Sequence, residues 1–588
     1  MKWYSTRDAE RKYPFTLKEA ALMGLAPDGG LFMPETIPQV DMEEVVRRAE
    51  ISFPCMASYL AELFFGDDFK TSTSRAVNSS KVRDSDYAAG ENSVSEAEGS
   101  TSSALLEEVC NKAFDFEIPL VEIAPGLRTL ELFHGPTFAF KDVGARFMGR
   151  MFGELMRSEG SCVEQDGVSD GGNLGGTVGR TVEGENGKQG IWKQCGTNNR
   201  VVVLTATSGD TGSAVAGGFY GVDGVEVVIL FPEGKVSAFQ RAQMTTLGGN
   251  IHAVEVNGTF DDCQRMVKEC FCDSSLRAKV NITSANSINI LRWIPQSFYY
   301  FYAWCKGCSA SVGVALGGNA PVGVALGGNA PVGGASGGGD PAACGCVSNG
   351  GGCGGYAPVV VVPSGNFGNI AAGILAQKMG LPVRKFVCAS NANDIVPKFL
   401  ESGVYSPKAS VHTVANAMDV GNPSNFERLE ALYGSREAIR SELVGFSFSD
   451  AQICDAIGRI HSRYGYFSDP HSATGFLAWE RVKAEISSEI VPEKGRKIGS
   501  EVGFKAGCEI GSEVGPEAGR DTGSESACNL VGFWISTAHP AKFGDIVDSS
   551  TGVKMTLPEK FKEILGRRGE SLKMAADVKT LGDYLLQV

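Results

Sequence analysis

Two short apolar runs stand out along the chain, Val201-Val-Val-Leu204 and Val359-Val-Val-Val362. Both are β-branched and unbroken by polar residues, the pattern of strands buried on both faces in a parallel sheet. Each leads into a glycine-containing turn and then a helix-like segment. After the second run, Ile370, Ile374, Leu375 and Met379 share one helical face, and Gly380 and Pro382 supply a stop. Near the start, Thr16-Leu-Lys-Glu19 is a capping box opening a short helix that Gly24 closes. The alternation of strand, turn and helix predicts an α/β fold, with ligands at the carboxyl ends of the strands.

The pattern lapses in four places, read as low-complexity loop insertions. Residues 160–199 are rich in Gly, Asn and Ser without apolar periodicity. Residues 307–356 hold a ten-residue repeat, Val312 to Pro321 and its copy Val322 to Pro331. Residues 487–528 hold a twelve-residue repeat, Ile498-Gly-Ser-Glu-Val-Gly and again from Ile510. These units lack the large side chains a stacked solenoid core requires. The polar stretch 71–103 reads as a fourth loop or insertion.

A length of 588 residues allows two or three domains with well-buried cores. The net charge of −14 argues against binding a nucleic-acid backbone, though not against a local pocket for a small anion. No run approaches the roughly 20 apolar residues of a membrane helix. The first residues, Met1 to Arg7, carry neither an apolar signal core nor an amphipathic presequence, so the expected location is the cytoplasm. Sixteen cysteines spread over so long a chain are then read as reduced thiols.

Three segments carry chemistry. His134-Gly-Pro-Thr-Phe-Ala-Phe-Lys141-Asp142 places a lysine after an apolar, aromatic run that includes Leu132, Phe133, Phe138 and Phe140. A lysine is ordinarily a solvated surface charge. One buried here escapes the cost of a bare ammonium by forming an imine with a carbonyl cofactor, and then serves as a base of lowered pKa. Thr205-Ala-Thr-Ser-Gly-Asp-Thr-Gly follows the first strand and offers hydroxyls and N–H groups at a helix N-terminus, a seat for a carboxylate or phosphate. Pro363-Ser-Gly-Asn-Phe-Gly-Asn369 follows the second strand, and its glycines let the backbone wrap an anion. Taken alone, each turn is equally well a helix cap or tight turn with nothing bound.

Together and in this order the three segments resemble the threonine synthases of fungi and many bacteria. The resemblance extends to Tyr4-Ser-Thr-Arg7, Gly24 to Pro34, Phe231 to Ser237 with Gln240 and Gln243, Asn286-Ser-Ile-Asn289 with Arg292, Asp469-Pro-His471 and Thr537 to Lys542. Outside the insertions it covers nearly the whole chain. It implies a pyridoxal-phosphate (PLP) enzyme of fold type II: two lobes with a parallel-sheet core, a small N-terminal domain over 1–110 and a catalytic domain over 111–588. Lys141 would be the Schiff-base lysine. Gly365, Asn366, Phe367 and Asn369 would surround the PLP phosphate, with Asn369 where the family often has Asp. Thr537 would approach the pyridine nitrogen. Thr207, Ser208 and Thr211 are candidates for the substrate carboxylate, and Lys235, Asn286 and Arg292 for the substrate phosphate.

The implied reaction converts O-phospho-L-homoserine and water to L-threonine and phosphate, in a monomer or weak homodimer without nucleic-acid or membrane partners. The alternatives are a related phospho-lyase releasing 2-oxobutyrate, ammonia and phosphate, and a non-catalytic paralogue with a binding role. Other patterns carry less. Cys305 and Cys308 with Cys344, Cys346 and Cys353 lack standard zinc spacing, so no metal is expected. Gly334-Ala-Ser-Gly-Gly338 matches a nucleophile elbow but lies inside a repeat rather than between a strand and a helix. His134, His471 and His539 read as buttresses of the site.

Overall fold

The computed structural model describes residues 1–77, 94–160, 200–308, 357–490 and 531–588. Most of the expected insertions at 160–199, 307–356 and 487–528 lie outside the described residues, as do Cys344, Cys346, Cys353 and the Gly334–Gly338 motif. The stretch 71–103 is partly helical rather than a loop. The helices Phe53–Val77 and Val94–Ala113 enter it from both sides. Their intruding segments contain no proline and only Gly99 as a breaker, so nothing local stops a helix already anchored by its apolar half.

The α/β expectation holds. One sheet runs from edge to edge through Leu443–Ser447, Lys385–Ser390, Val359–Pro363, Gly532–Ser536, Leu127–Glu131 and Leu120–Ala124. All its neighbours pair in parallel except the last two strands, which are antiparallel. The other sheet is wholly parallel, in the order Leu572–Ala575, Ile251–Asn257, Val225–Pro232, Val201–Ala206 and Asn281–Thr283. Each of the two β-branched runs therefore became an internal strand, one in each sheet. Strands flanked on both sides and covered on both faces bury every side chain, as Val359–Pro363 does.

The helix after that strand, Gly368–Lys378, departs from the one-faced expectation: it is buried all round from Gly368 to Ala376. Small residues make this possible. A Cβ on Gly373 would lie 2.7 Å from the ring of Phe386 on the neighbouring strand Lys385–Ser390, so glycine admits that strand and the helix at this separation. The N-terminal segment pairs Trp3–Ser5 with Phe32–Pro34, and Thr16 and Glu19 form the expected capping box. Trp3, Leu17 and Phe32 belong to the same apolar core as Phe147, Val203 and Ile370. Polar contacts tie this segment to the rest, among them Arg7 Nη2 to Glu427 Oε1 at 2.6 Å, Thr6 Oγ1 donating to Glu427 Oε2 at 3.0 Å, and Asn289 Nδ2 donating to Ala21 O at 2.7 Å.

Candidate active site

The turns after four strands, two from each sheet, open onto one cavity of about 550 Å³. They are the segments after Val201–Ala206, Asn281–Thr283, Val359–Pro363 and Gly532–Ser536. Opposed carboxyl ends of parallel strands bring helix N-termini to one place, and with them donors for anions.

Lys141 begins the helix Lys141–Gly160 and lines this cavity. The turn before it is folded around Asp142, whose carboxylate accepts from Thr137 N at 2.8 Å and Thr137 Oγ1 at 2.5 Å. A Cβ on Gly135 would strike Asp142 Oδ2 at 2.4 Å, so the wrap requires glycine there. The turn is then fastened to the end of strand Gly532–Ser536, with Phe140 N donating to Thr537 O at 2.8 Å and His539 N to Phe138 O at 3.0 Å. The segments that carry Lys141 and Thr537 are thus joined by backbone pairing. Burial lowers the Lys141 amine to about 8; Asp210 opposes the shift, and Lys542 and Arg292 add to it.

The first anion turn opens the helix Asp210–Phe219. Ser208 is exposed to the cavity and Thr211 half-buried beside it. Thr207 is buried, and its hydroxyl oxygen accepts from Gly209 N and Gly212 N, both at 2.9 Å. That oxygen shapes the turn, leaving only its proton to offer a ligand.

The second turn opens the helix Gly368–Lys378, with Phe367 in the left-handed region at φ 60°. A buried Phe held there stores on the order of 1–3 kcal/mol, which only a surrounding structure sustains. The clamp is visible. A Cβ on Gly365 would meet Met418 Cα at 2.5 Å, and Asn366 Nδ2 donates to Ser287 Oγ at 2.7 Å. Asn369 Oδ1 accepts from Tyr299 at 2.5 Å and from Tyr300 at 2.6 Å, while its Nδ2 is buried with no partner. An unpaired buried donor on a cavity wall beside a helix N-terminus is a fit for a phosphate oxygen. The residues present therefore suit a phosphorylated cofactor.

Asn286 and Arg292 also line the cavity. Asn286 Oδ1 accepts from Thr205 Oγ1 at 3.0 Å. Arg292 Nη1 donates to Ala285 O at 2.5 Å, and its Nε is buried without a partner. Lys235 is different: it is exposed on the turn Pro232–Lys235 and does not line the cavity. The apolar strand before it ends at Pro232, so its side chain leaves the sheet into solvent. Eleven of the twelve residues singled out from sequence meet at one cavity, and Lys235 is the exception.

The chain is similar to three threonine synthases along nearly all of its length. It is 31% identical to that of Serratia marcescens, over 95% of this chain and 93% of that protein. It is 30% identical to that of Haemophilus influenzae over 100% of both, and 31% identical to that of Saccharomyces cerevisiae over 95% and 92%. The chain belongs to the threonine synthase family. Family models match in three places: the threonine synthase N terminus over 2–80, the pyridoxal-phosphate dependent enzymes over 353–492 and the threonine synthase C-terminal region over 513–585. Solved threonine synthases superpose on it. The yeast enzyme gives a TM-score of 0.69 at 26% identity, covering 99% of this chain and 98% of that one. A PLP-bound threonine synthase from Brucella melitensis gives 0.67 at 26% identity, covering 100% and 99%.

Part of this threonine synthase site escaped sequence reasoning, and two of the histidines read as buttresses take defined places in it. Arg428 is wholly buried, stacks 4.2 Å from the Trp293 ring centroid, and donates to Ser287 O at 3.2 Å and Ile288 O at 2.6 Å. It sets the turn that carries Asn286, yet an arginine in the helix Phe426–Tyr433 reads from sequence as solvated. His471, placed only as a buttress, both lines the cavity and holds its wall. Its Nδ1 bonds Asp469 Oδ1 at 2.8 Å and its Nε2 accepts from Ala417 N at 3.1 Å, fixing the Nδ1–H tautomer. Ser472 connects the same Asp469 to Thr537, accepting from Thr537 N at 3.0 Å. His539 is held neutral, its pKa lowered to about 4 by burial and by His134 nearby. It packs edge-on against Phe133 and Phe138, as a buttress does.

Proposed function

We propose that the chain is a PLP-dependent threonine synthase that converts O-phospho-L-homoserine and water to L-threonine and phosphate. The observation that carries this reading is the meeting of Lys141 with two anion-receiving turns, one from each sheet, around a single cavity in a chain of this family. One turn suits the cofactor phosphate and the other the substrate carboxylate. The two-lobed parallel-sheet architecture is that of PLP fold type II.

Asn369 Nδ2 and the backbone of Gly365, Asn366 and Phe367 would hold the cofactor phosphate, Lys141 its aldehyde carbon, and Thr537 would face the ring nitrogen. A neutral hydroxyl there does not force that nitrogen to be protonated. Bound in this way, PLP supplies an electron sink that acidifies the carbons of the substrate. Ser208 and Thr211, with the Thr207 proton, orient the substrate carboxylate at the N-terminus of Asp210–Phe219. Asn286 and Arg292 supply donors and fixed positive charge to the phosphate that leaves the γ carbon. The Lys141 amine, with a pKa near physiological pH, is matched to move protons at the α and β carbons. Water then adds at the β carbon.

We place the domain boundary near residue 110, with an N-terminal domain over 1–110 and the catalytic domain over 111–588. The protein acts in the cytoplasm as a monomer or weak homodimer. No helix among the described residues is long and apolar enough to cross a membrane.

The test is incubation of the holoenzyme with O-phospho-L-homoserine, measuring threonine, phosphate, ammonia and 2-oxobutyrate together. Threonine and phosphate in equal amounts are expected. Oxobutyrate and ammonia without threonine would replace the synthase by a phospho-lyase, and no turnover would leave a binding protein.

A further inference from the structure

Lys542 lies in the last of the family-like blocks, on the turn Pro540–Phe543, and does not line the cavity. Its side chain has no solvent exposure at all. Behind the cavity wall its Nζ sits 2.6 Å from Asp210 Oδ1 and donates to Thr137 O at 3.0 Å. Thr137 belongs to the turn that delivers Lys141, and Asp210 opens the helix at the first anion turn. Gln240 Nε2 donates to the same Oδ1 at 2.9 Å. Gly209, at φ 137°, leaves the room Gln240 occupies, since a Cβ there would lie 2.3 Å from its amide carbon. Both donors converge on Oδ1, and Asp210 itself lines the cavity together with Lys141.

A buried carboxylate facing a single amine would pair with it and hold it protonated. Here a second lysine already holds the carboxylate in an ion pair, and it is anchored to the turn that delivers the first. We propose that Lys542 is a positioning residue: it neutralises and fixes Asp210, so that this carboxylate shares the cavity with Lys141 without trapping the amine as an ammonium ion. Lys542 is thereby the reason a cofactor-binding amine and a buried acid coexist in one cavity. The inference deepens the reading of Lys141 as the reactive amine and rests on it.

Charge bookkeeping around Lys141 supports the assignment. The charged groups that act on Lys141 are Asp210 on Asp210–Phe219, Lys542 paired with Asp210, and Arg292 on Ile290–Trp293; Asp261, Lys408, Asp419 and His471 line the same cavity, and Asp142 is turned back onto Thr137. Burial acts to raise the Asp210 pKa, but Lys542 and Lys141 outweigh it and leave the carboxylate well below its ordinary range. Removing Lys542 leaves Asp210 to Lys141 alone.

The test uses the cofactor-free full-length protein, in which the reactivity of the Lys141 amine is read by competitive acetylation across pH with peptide mass spectrometry. K542M is expected to raise the labelling midpoint of Lys141 by about one unit or more, the usual effect of an uncompensated neighbouring carboxylate. K542R should restore the wild-type midpoint, and the double variant D210N/K542M, which removes both charges, should bring it back to or below that of wild type. Wild-type midpoints in K542M, or in D210N/K542M a midpoint as high as in K542M alone, would overturn the proposal. Should K542M fail to fold, the double variant set against D210N alone decides: with Asp210 already neutral, Lys542 has no carboxylate left to compensate and keeps only its direct repulsion of Lys141, so removing it should raise the midpoint by clearly less than a unit. A large upward shift on removing it would then sink the idea. Because acetylation needs no turnover, failure of this idea is distinct from failure of the synthase reaction itself.

Discussion

Replacing Gly365 by alanine tests whether the cofactor turn is set by the fold around it. The added Cβ would lie 2.5 Å from Met418 Cα, 3.0 Å from its Cβ and 3.2 Å from its carbonyl carbon. The first of these is a backbone atom, so no side-chain rotation relieves the clash. The segment that must yield is also held from the other side, because Ala417 N donates to His471 Nε2 at 3.1 Å. Overpacking of this kind costs about 1–3 kcal/mol. If the turn gives way instead, the loss falls on cofactor binding and corresponds to about 5- to 150-fold in Kd. The assay is a PLP titration followed by cofactor absorbance, alongside thermal unfolding of the apo and loaded protein. G544A is the control, because nothing stands within 4 Å of a Cβ there and its backbone is helical. G365A with wild-type Kd and wild-type Tm, or G544A impaired as severely, would refute the account of the turn.

Lys141→Ala should leave the fold and Tm nearly unchanged, abolish the visible absorption of the bound cofactor and lower threonine formation by at least the roughly 10²–10⁴-fold due to a general base; intact absorption would exclude Lys141 as the attachment point. In the apo protein the rate of PLP capture should rise with pH and level off above about 8, since burial lowers the amine to about 8 and only the neutral amine attacks; a flat profile from pH 6 to 9 contradicts this. Tyr299→Phe and Tyr300→Phe each remove one hydrogen bond to Asn369 Oδ1, so each should weaken PLP binding by about 1 kcal/mol, or roughly fivefold, in a Kd titration. Lys235→Ala should change kcat/KM by less than about threefold, because an exposed lysine away from the cavity contributes only a screened charge; a loss beyond tenfold would return it to the substrate phosphate.

What could be read from the chain was whatever depends on neighbours in sequence. Unbroken β-branched runs at 201–204 and 359–362 marked internal strands because a residue buried on both faces leaves no polar position. The turns that follow were legible as anion seats for the same reason: a strand, a glycine and a helix start fix donors locally. Thr16 and Glu19 likewise announced a helix start, since both partners of a capping box lie within one turn. With the family resemblance, this placed all but one of the chosen residues at the cavity.

Tertiary structure decided which charges meet. Asp210 and Lys542 are more than three hundred positions apart and come together only because strand Gly532–Ser536 inserts between Val359–Pro363 and Leu127–Glu131. Arg428 and His471 became parts of the site through bonds to backbone atoms distant in sequence, which no local pattern encodes. Lys235 failed for the converse reason: proximity in sequence to a conspicuous motif says nothing about the direction in which a side chain leaves a strand end. Local composition sets what a segment is able to form. Burial and the electrostatics that follow from it belong to the assembled sheets, because the cost of a charge depends on what closes over it.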